Sequence, residues 1–302
     1  MEHVERALRL YWQDDLIGYV VPLFLVAVLA EALWSSWRGR ALYRRSDTWA
    51  SLWMLAASAV LEILPKVGWI VVMILLYEAS PFRDVVGHHV WAWVALFFLD
   101  DLTYYWFHRL NHSIRILWAG HVNHHSSRYF NLGTALRQGV GERFVKLAFW
   151  LWLPWLGFDP AMVLLMMGLN LVYQFWVHTE SVNRMPSWFE AVFNTPSHHR
   201  VHHGSNVSYL DRNHAGVLIV WDKLFGTFAQ ERLTEPVVYG LTENLNSDDP
   251  VTVLTHGYTD LWGDLRRCKR GKDRLRYIAW APGWRHDGPD KRSSVLRTQQ
   301  DT

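Results

Sequence analysis

The chain reads His108-Arg-Leu-Asn-His112 and then His121-Val-Asn-His124-His125, and the second pattern recurs at His199-Arg-Val-His202-His203. Eleven of its sixteen histidines lie between His108 and His214. Residues three and four apart share a helix face, so each set can direct two or three imidazole rings towards one point. A single histidine is more often a hydrogen-bonded core or surface residue. The repeated spacing instead predicts a metal site.

Composition narrows the classes of protein that fit this chain. Half of its 302 residues are apolar and 19 are tryptophans, a residue that favours the interface between membrane and water. The net charge of +2 gives no argument for a nucleic-acid partner. The single cysteine, Cys268, excludes a disulfide within the chain, a cysteine-rich zinc site and a cysteine-ligated iron–sulfur cluster.

Long apolar runs predict an all-α fold, a multi-pass transmembrane helical bundle. A helix needs about 20 apolar residues to cross the hydrocarbon core. The runs that predict crossings are residues 16–34, the interrupted pair 48–64 and 67–77, residues 90–107, and a short hairpin formed by 144–158 and 161–177. A soluble protein with several buried helices is the alternative.

Basic residues indicate the side of the membrane on which the histidines lie. Arg38, Arg40, Arg44 and Arg45 follow the first apolar run, and the positive-inside rule places such a loop in the cytoplasm. Counting crossings from this loop puts the histidine patterns on the cytoplasmic side. The N-terminus lacks a small-residue cleavage signal, so we interpret the first run as a retained helix, in a bacterial inner membrane.

The apolar runs, histidine patterns and polar end divide the chain into three parts. Residues 1–89 are expected to form N-terminal transmembrane helices, residues 90–230 the catalytic domain, and residues 231–302 a polar, basic C-terminal extension. Residues 287–302 are expected to be a solvated tail.

Two acidic residues near the histidines are candidate catalytic groups. Asp101 lies in an apolar run, where an ionisable side chain is costly and usually functional. It precedes His108 by seven residues, so its carboxylate could orient a ligand ring; a pairing with Arg109 or Arg115 is the alternative. Glu180 could be a ligand or a base beside His178.

A polar stripe marks another apolar helix. Asn170, Gln174 and His178 follow one another at intervals of four residues and therefore share a face. We interpret the stripe as a track that leads the substrate to the metals, or as side chains that support the metal ligands from outside. A hydrogen bond between packed helices is the alternative.

Over about residues 90–230 the chain resembles the fatty acid hydroxylase/sterol desaturase superfamily of integral membrane oxygenases, and is most similar to its alkylglycerol monooxygenase branch. The resemblance rests on the histidine patterns and on several flanking strings. These strings are Tyr104-Tyr105-Trp106-Phe107-His108-Arg109, His124-His125-Ser126-Ser127, Thr134-Ala135-Leu136-Arg137-Gln138, His178-Thr179-Glu180, Asn194-Thr195-Pro196-Ser197-His198-His199, and Trp221-Asp222-Lys223-Leu224-Phe225-Gly226-Thr227-Phe228.

The resemblance implies which histidines bind metal. The implied ligands are His108, His112, His121, His124, His125, His178, His199, His202 and His203. His198 is a possible additional ligand, although it projects about 100° away from His199 on a regular helix. His214 is not carried over, because the related pattern usually has tyrosine there.

The resemblance also implies an O2-dependent monooxygenase that holds two iron ions (Fe2+) and hydroxylates, or desaturates, a lipid or sterol-like C–H bond. Imidazole spacing alone does not choose between iron, zinc, copper and nickel. Electrons must come from outside, either from a tetrahydropterin or from a cytochrome b5-like or ferredoxin partner. Arg137, with Gln138 and Asn131, could hold a polar headgroup or the reductant.

Two other classes of function fit some of these features. A dizinc membrane hydrolase would use metal-activated water and need no O2. A metal or haem carrier would place its histidines at several depths across the membrane, whereas these patterns lie just outside the apolar runs and on one side. The identity of the bound metal separates the first alternative from the oxygenase.

Overall fold

The computed structural model describes residues 1–13 and 16–300, and within them the regular secondary structure is entirely helical. Extended segments meet there only at isolated β-bridges. The all-α prediction is therefore confirmed. The helices are α1 (Glu2–Gln13), α2 (Leu16–Trp37), α3 (Arg45–Leu61), α4 (Ile63–Ala79), α5 (Arg83–Val86), α6 (Val90–Ser113), α7 (Arg115–His125), α8 (Leu132–Ala135), α9 (Val140–Lys146), a 3₁₀ turn (Leu147–Trp150), α10 (Trp152–Trp155), α11 (Pro160–Trp176), α12 (Ser187–Val192), α13 (Pro196–His202), α14 (Val220–Leu224), α15 (Pro250–Arg267), α16 (Gly271–Ala279) and α17 (Ser293–Gln300).

Fewer helices than predicted have the length and composition of a membrane crossing. In the described part of the chain one helix qualifies, Gly18–Trp37, and a second qualifies if the bent pair α3–α4 is counted as one span. Helix α6 is long but carries two aspartates and two histidines, and α11 has only 17 residues. The prediction of a multi-pass bundle is therefore not confirmed.

The bend between α3 and α4 lies in the interrupted pair of apolar runs, three residues before Pro65. The two helices meet at Glu62 with an angle of 51° between them. Pro65 is the third residue of α4, where a backbone N–H has no partner within the helix and its loss costs little. Proline is thus accommodated at the start of the second helix, and the chain changes direction just before it.

The largest apolar core fixes the two helices that lead to the histidines. Ile70 of α4, Leu96 of α6 and Val163 of α11 are fully buried in one cluster, together with Trp150 of the 3₁₀ turn. Helix α6 extends beyond this core by more than a turn, and His108 and His112 lie on that extension. His178 occupies the corresponding position just after α11.

A band of large apolar side chains lies on the outside of the molecule. Along α2, the side chains of Leu23, Val26, Leu29 and Leu33 are 60–66% exposed. Contiguous apolar surface of this kind usually marks contact with a membrane or a partner.

The C-terminal region is more ordered than its composition predicted. Helix α15 buries Val253, Gly257 and Leu261 on one face, and this face packs against α7. Within the predicted solvated tail, α17 forms and the Arg297 guanidinium donates a hydrogen bond of 2.6 Å to the Leu210 carbonyl, while no side chain of α17 is buried. The tail is therefore solvated, as predicted, but it is helical and attached to the rest of the protein.

Candidate metal centre

The structure gathers nine buried histidines into two adjacent groups. Within each group, one nitrogen of every ring lies within 4.8 Å of the corresponding nitrogens of the others. Each of the nine side chains is at most 6% exposed. The five-histidine group comprises His108, His112, His121, His125 and His202; the four-histidine group comprises His124, His178, His199 and His203.

Each repeated pattern divides its rings between the two groups. The i, i+4 pair His121 and His125 enters the five-histidine group, whereas His124 turns to the other group. In the second copy, the i, i+4 pair enters the four-histidine group and His202 turns away from it. The expectation that each set points at a single position is therefore wrong, because sequence neighbours on a helix project about 100° apart.

The two groups touch each other. The rings of His125 and His203 stack with centroids 4.4 Å apart and an angle of 18° between their planes. Adjacent residues of one helix thus belong to different groups. Because each helix contributes to both, the helices fix the distance between the groups. This arrangement suits a dinuclear site.

The break between α6 and α7 turns the first two histidine patterns towards each other. Ile114 adopts an extended conformation between the helices, and the following Arg115 N–H donates to the Trp280 carbonyl at 2.9 Å. This turn brings the Nε2 atoms of His108 and His121 to 3.1 Å. In the second copy, α13 begins with Pro196 in its first turn, a position that favours proline.

Six of the nine rings have their Nδ1 atom held by an acceptor outside the groups. A carbonyl or carboxylate oxygen can only accept, so in the neutral form of each ring the proton lies on Nδ1 and Nε2 is bare. The six contacts join His108 to the His214 carbonyl (2.9 Å), His112 to the Asp211 carboxylate (3.2 Å), His121 to the Glu142 carboxylate (2.8 Å), His124 to the Arg137 carbonyl (3.2 Å), His178 to the Gln174 carbonyl (2.7 Å) and His202 to the Arg212 carbonyl (2.8 Å).

This arrangement of protons suits a cation in each group. The bare Nε2 atoms of His108 and His121 lie 3.1 Å apart, and so do those of His124 and His178. Two lone pairs at this distance repel each other unless a positive ion lies between them. Nitrogens about 2.0–2.1 Å from one metal ion are themselves about 3 Å apart, which matches the observed separation. The residues therefore fit a metal ion in each group.

Electrostatics keeps the rings in the form that binds metal. Burial lowers the pKa of His125 and of His202 well below the usual value, and neighbouring histidines lower it further. Burial also lowers the pKa of His178 to about 4, although its hydrogen bond to the Gln174 carbonyl acts in the opposite direction. These imidazoles are neutral at physiological pH, which leaves their lone pairs available as ligands.

The sequence suggested that Asp101 orients a ligand ring, but the structure shows that it does not. Its carboxylate accepts hydrogen bonds from the backbone N–H groups of Val217 and Leu218, at 2.8 and 2.9 Å, and from the Trp221 indole at 2.9 Å. The pairing with Arg109 or Arg115 is also wrong, because these guanidiniums donate to the Tyr105 hydroxyl and to Asp264. Asp101 instead ties α6 to the loop before α14.

The polar stripe on α11 joins helices together. The Asn170 amide donates to Asp100 at 2.9 Å and to Asp101 at 3.2 Å, and it accepts from the Gln174 amide at 2.6 Å. Both side chains are buried, so the helix-packing alternative describes them better than a substrate track. Gln174 also acts on the site through its carbonyl, which holds His178.

Arg137 is buried and paired, so it does not reach a lipid headgroup or a reductant as expected. Its guanidinium is 2% exposed and forms an ion pair of 2.7 Å with Asp47 of α3. Its Nε donates to the Asn123 carbonyl at 3.1 Å, and its own carbonyl holds His124. Of its expected companions, Asn131 caps α8, and the Gln138 amide donates to the Ala135 carbonyl.

Glu180 lies outside both histidine groups. It is half-buried beside Tyr239, where its hydrogen-bonded carboxylate adds to burial in raising the pKa of the tyrosine. Tyr239 stacks on Phe130 at 5.2 Å, and Phe130 in turn contacts His203 at 5.0 Å. Two aromatic rings therefore lie between Glu180 and His203.

The two remaining histidines near the site also lie outside the groups. The His198 ring packs against Phe228 at 5.5 Å, and its carbonyl accepts a hydrogen bond from Asn213. His214 places its ring 5.0 Å from that of His112, but its contribution to the site is the carbonyl that holds His108. Its backbone N–H is bound by Asp222 at 2.8 Å.

Sequence reasoning missed the two carboxylates that orient ligand rings, Glu142 and Asp211. Glu142 is 21 residues from His121 and Asp211 is 99 residues from His112, so helix spacing gives no signal for either. Asp211 has a φ of +51°, a left-handed conformation that aspartate and asparagine adopt more readily than other non-glycine residues. The polar turn around Asp211 is the only signal in the sequence that points to it.

Replacing Glu142 with glutamine is expected to weaken metal binding without unfolding the protein. The amide can keep a hydrogen bond to His121 but loses the charge that fixes the ring and increases its basicity. Loss of such an outer partner typically costs 10–100-fold in metal affinity or activity. Metal affinity can be measured by competition with a chromophoric chelator, with Glu243→Gln as a control at an exposed ion pair. Equal affinities in the two variants would show that Glu142 has no positioning role.

The nine histidines lie within a stretch of the chain that matches a known protein family. The family model described as fatty acid hydroxylase matches residues 93–227. The alkylglycerol monooxygenase of Homo sapiens is 38% identical over 283 residues, which cover 92% of this chain and 61% of the relative. The Danio rerio protein of the same name is 42% identical over 70% of this chain and 46% of its own length. The ornithine lipid hydroxylase OlsE of Rhizobium tropici is 30% identical over 43% and 39%. No solved structure gives a significant match.

The helical scaffold and the paired histidine groups define a class of protein, helical proteins with a buried site that could hold two metal ions. The family match and the extended similarity are more specific. Residues 93–227 match the fatty acid hydroxylase family and most of the chain is similar to alkylglycerol monooxygenases, which supports assignment to the fatty acid hydroxylase/sterol desaturase superfamily. It spans about three fifths of the length of the human and Xenopus tropicalis relatives.

Proposed function

We propose that the protein is a dinuclear iron monooxygenase that inserts one oxygen atom of O2 into a C–H bond of a lipid. The observation that carries this proposal is the pair of touching histidine groups, each with bare imidazole nitrogens about 3 Å apart. Iron bound there would supply the redox chemistry that O2 activation needs. The relatives named as monooxygenases and as a lipid hydroxylase support the reaction class and the substrate class.

The chain itself would supply a dry, preorganised site. The Nδ1 contacts hold six rings in one tautomer and orientation before a metal binds, which reduces the reorganisation that binding requires. The low exposure of all nine histidines excludes bulk water, which would otherwise intercept a reactive oxidant. Under this proposal the residues around the metals position the substrate, and none acts as a nucleophile.

The exposed apolar band supports a membrane location for this reaction. Helix α2 presents large apolar side chains to its surroundings over its whole length, and Trp37 lies 77% exposed at its end beside the Arg38 guanidinium. A tryptophan beside a basic residue is typical of the interface between hydrocarbon and lipid headgroups. We infer that lipid surrounds this band and that the two histidine groups lie on the cytoplasmic side of the membrane.

Electrons have a polar route to the five-histidine group. A cavity of about 270 Å³ opens beside His112 and is lined by polar residues of the C-terminal region, including His256 and Asp260. Trp118, on its wall, packs against His112 with ring centroids 4.9 Å apart. A small water-soluble reductant such as a tetrahydropterin would fit within this space, whereas a cytochrome b5-like or ferredoxin partner would dock around its mouth.

The proposal predicts about two iron ions per chain, one for each histidine group. Elemental mass spectrometry of detergent-purified protein, expressed in iron-replete medium, measures them directly. Product analysis under labelled O2 should then place one labelled oxygen atom in the hydroxylated lipid. Two zinc ions that iron cannot replace, together with activity without O2, would contradict the proposal and indicate a hydrolase.

A further inference from the structure

A second cavity, about 480 Å³ in volume, lies on the apolar side of the molecule. Its walls come from α1, α2, α3, α4 and α11, with the end of α9 at one side. Most of the lining is apolar, including Leu55 of α3, Val21 of α2, and Met167 and Leu171 of α11, and Ser58, Glu62, Lys66 and Lys146 supply the polar groups. Cavities of a few hundred cubic ångströms with apolar walls and a few polar groups are typical of sites for small organic ligands.

This cavity approaches the histidines through α9. Lys146, at the end of α9, lines the cavity, and one turn earlier on the same helix Glu142 holds His121. The Lys146 ammonium lies 5.7 Å from the centre of the Tyr104 ring, and that ring lies 5.4 Å from the ring of His108. The Lys146 side chain and the Tyr104 ring therefore lie between this end of the cavity and the five-histidine group.

The position of the cavity favours a lipid chain as its occupant. Helix α2 forms one wall of the cavity through Gly18, Tyr19 and Val21, and Tyr19 is itself 68% exposed beside the apolar band, so an apolar molecule could pass between band and cavity without entering water. A water-soluble ligand would meet mainly apolar side chains and lose its hydrogen bonds with water, which is unfavourable. The polar cavity beside His112 offers such a ligand a better site.

We propose that the apolar cavity binds a single alkyl chain of the lipid and directs it past Tyr104 towards the five-histidine group. This inference rests on the proposed function for the identity of the reaction, but chain binding itself needs neither metal nor O2. Leu171 of α11 and Leu55 of α3, which both line the cavity, would then limit the length of chain that fits.

Photochemical labelling tests the proposal without requiring turnover. The probe is a hexadecanol that carries a diazirine, added to detergent-purified full-length protein in its metal-free and iron-loaded forms, and labelled peptides are identified by mass spectrometry. We expect labelling of α3 and α11 at the cavity lining in both forms, with competition by unmodified hexadecanol. Labelling confined to the exposed residues of α2, such as Leu29 and Leu33, would overturn the proposal.

A matched pair of variants sharpens this test. Leu171→Trp fills the cavity, whereas Leu169→Trp adds the same side chain to the same helix at a position that is 48% exposed and outside the lining. We expect Leu171→Trp to lower cavity labelling several-fold and Leu169→Trp to leave it unchanged; equal labelling would overturn the proposal. Val21→Phe serves as a second filling variant if Leu171→Trp does not fold.

The two proposals fail in different ways. Cavity labelling in a protein that binds only zinc and hydroxylates nothing would leave the chain-binding site standing and remove the oxygenase. Hydroxylation with two irons bound, but with no labelling of α3 or α11, would do the opposite. In a protein for which both proposals hold, Leu171→Trp should also shift the preferred substrate towards shorter alkyl chains.

Discussion

Replacing His202 with alanine is expected to remove the metal from the five-histidine group and to abolish hydroxylation. His202 is one of five candidate ligands, and its Nε2 is a buried nitrogen with no hydrogen-bond partner among the described residues. Loss of a residue that only hydrogen-bonds to a metal ligand typically costs 10–100-fold in metal affinity or activity. Loss of a direct ligand should therefore lower activity by at least about 100-fold. Elemental analysis should find about half of the metal of the unchanged protein.

The neighbouring residue provides an internal comparison. His203→Ala is expected to empty the four-histidine group instead, so the two variants should each keep one metal and lose activity alike. His3→Ala, which removes a half-exposed side chain near Glu78, should change neither metal content nor activity. Full metal occupancy and full activity in His202→Ala would contradict the assignment of the site.

Replacing Gly257 with alanine is expected to destabilise the protein and to weaken metal binding with it. Gly257 lies where α15 crosses α7, and a Cβ atom there would lie 2.4 Å from the Ala119 carbonyl oxygen. Backbone cannot yield as a flexible side chain can, so the helices must separate, and overpacking of this kind costs about 1–3 kcal/mol or more. Helix α7 carries His121, His124 and His125, so its displacement should also lower metal affinity.

The same helix provides the control. Gly263 lies two turns later on α15, and a Cβ there would have only the tip of Arg267 within 4 Å. Gly263→Ala should therefore show the ordinary gain in helix propensity, a stabilisation of up to about 1 kcal/mol. Thermal unfolding of both variants in detergent measures the contrast. If Gly257→Ala unfolded at the same temperature as Gly263→Ala, close packing of α15 on α7 would not matter to stability.

The glycines near this crossing show why the packing is so close. A Cβ on Gly120 would lie 2.6 Å from the backbone nitrogen of Glu142, and one on Gly139 would lie 1.7 Å from the Gly120 carbonyl oxygen. Contact between the backbones of α7 and α9 is what allows the Glu142 side chain to reach His121. In the sequence these glycines are scattered residues with no common spacing, so their role could not be predicted.

Two predictions fail for one physical reason. The sequence suggests that Asp101 orients a ligand ring and that Arg137 holds a headgroup or the reductant, yet their partners are 116 and 90 residues away, at Val217 and Asp47. A buried charged side chain is stable only when it is paired or hydrogen-bonded. Burial was predictable from the apolar surroundings of Asp101, whereas the identity of the partner depended on which loop the fold brought there.

Residue spacing and motifs were enough to predict the helical fold class, the resemblance to fatty acid hydroxylases and the nine histidines that come together, because helix periodicity is a local property that spacing reports directly. Whether these histidines bind iron stays a prediction. The folded structure was needed to show how the nine divide into five and four, which carboxylates and carbonyls hold their rings, and where the two cavities open. These features depend on contacts between distant segments, and such contacts are set by the packing of whole helices rather than by the spacing of residues along one of them.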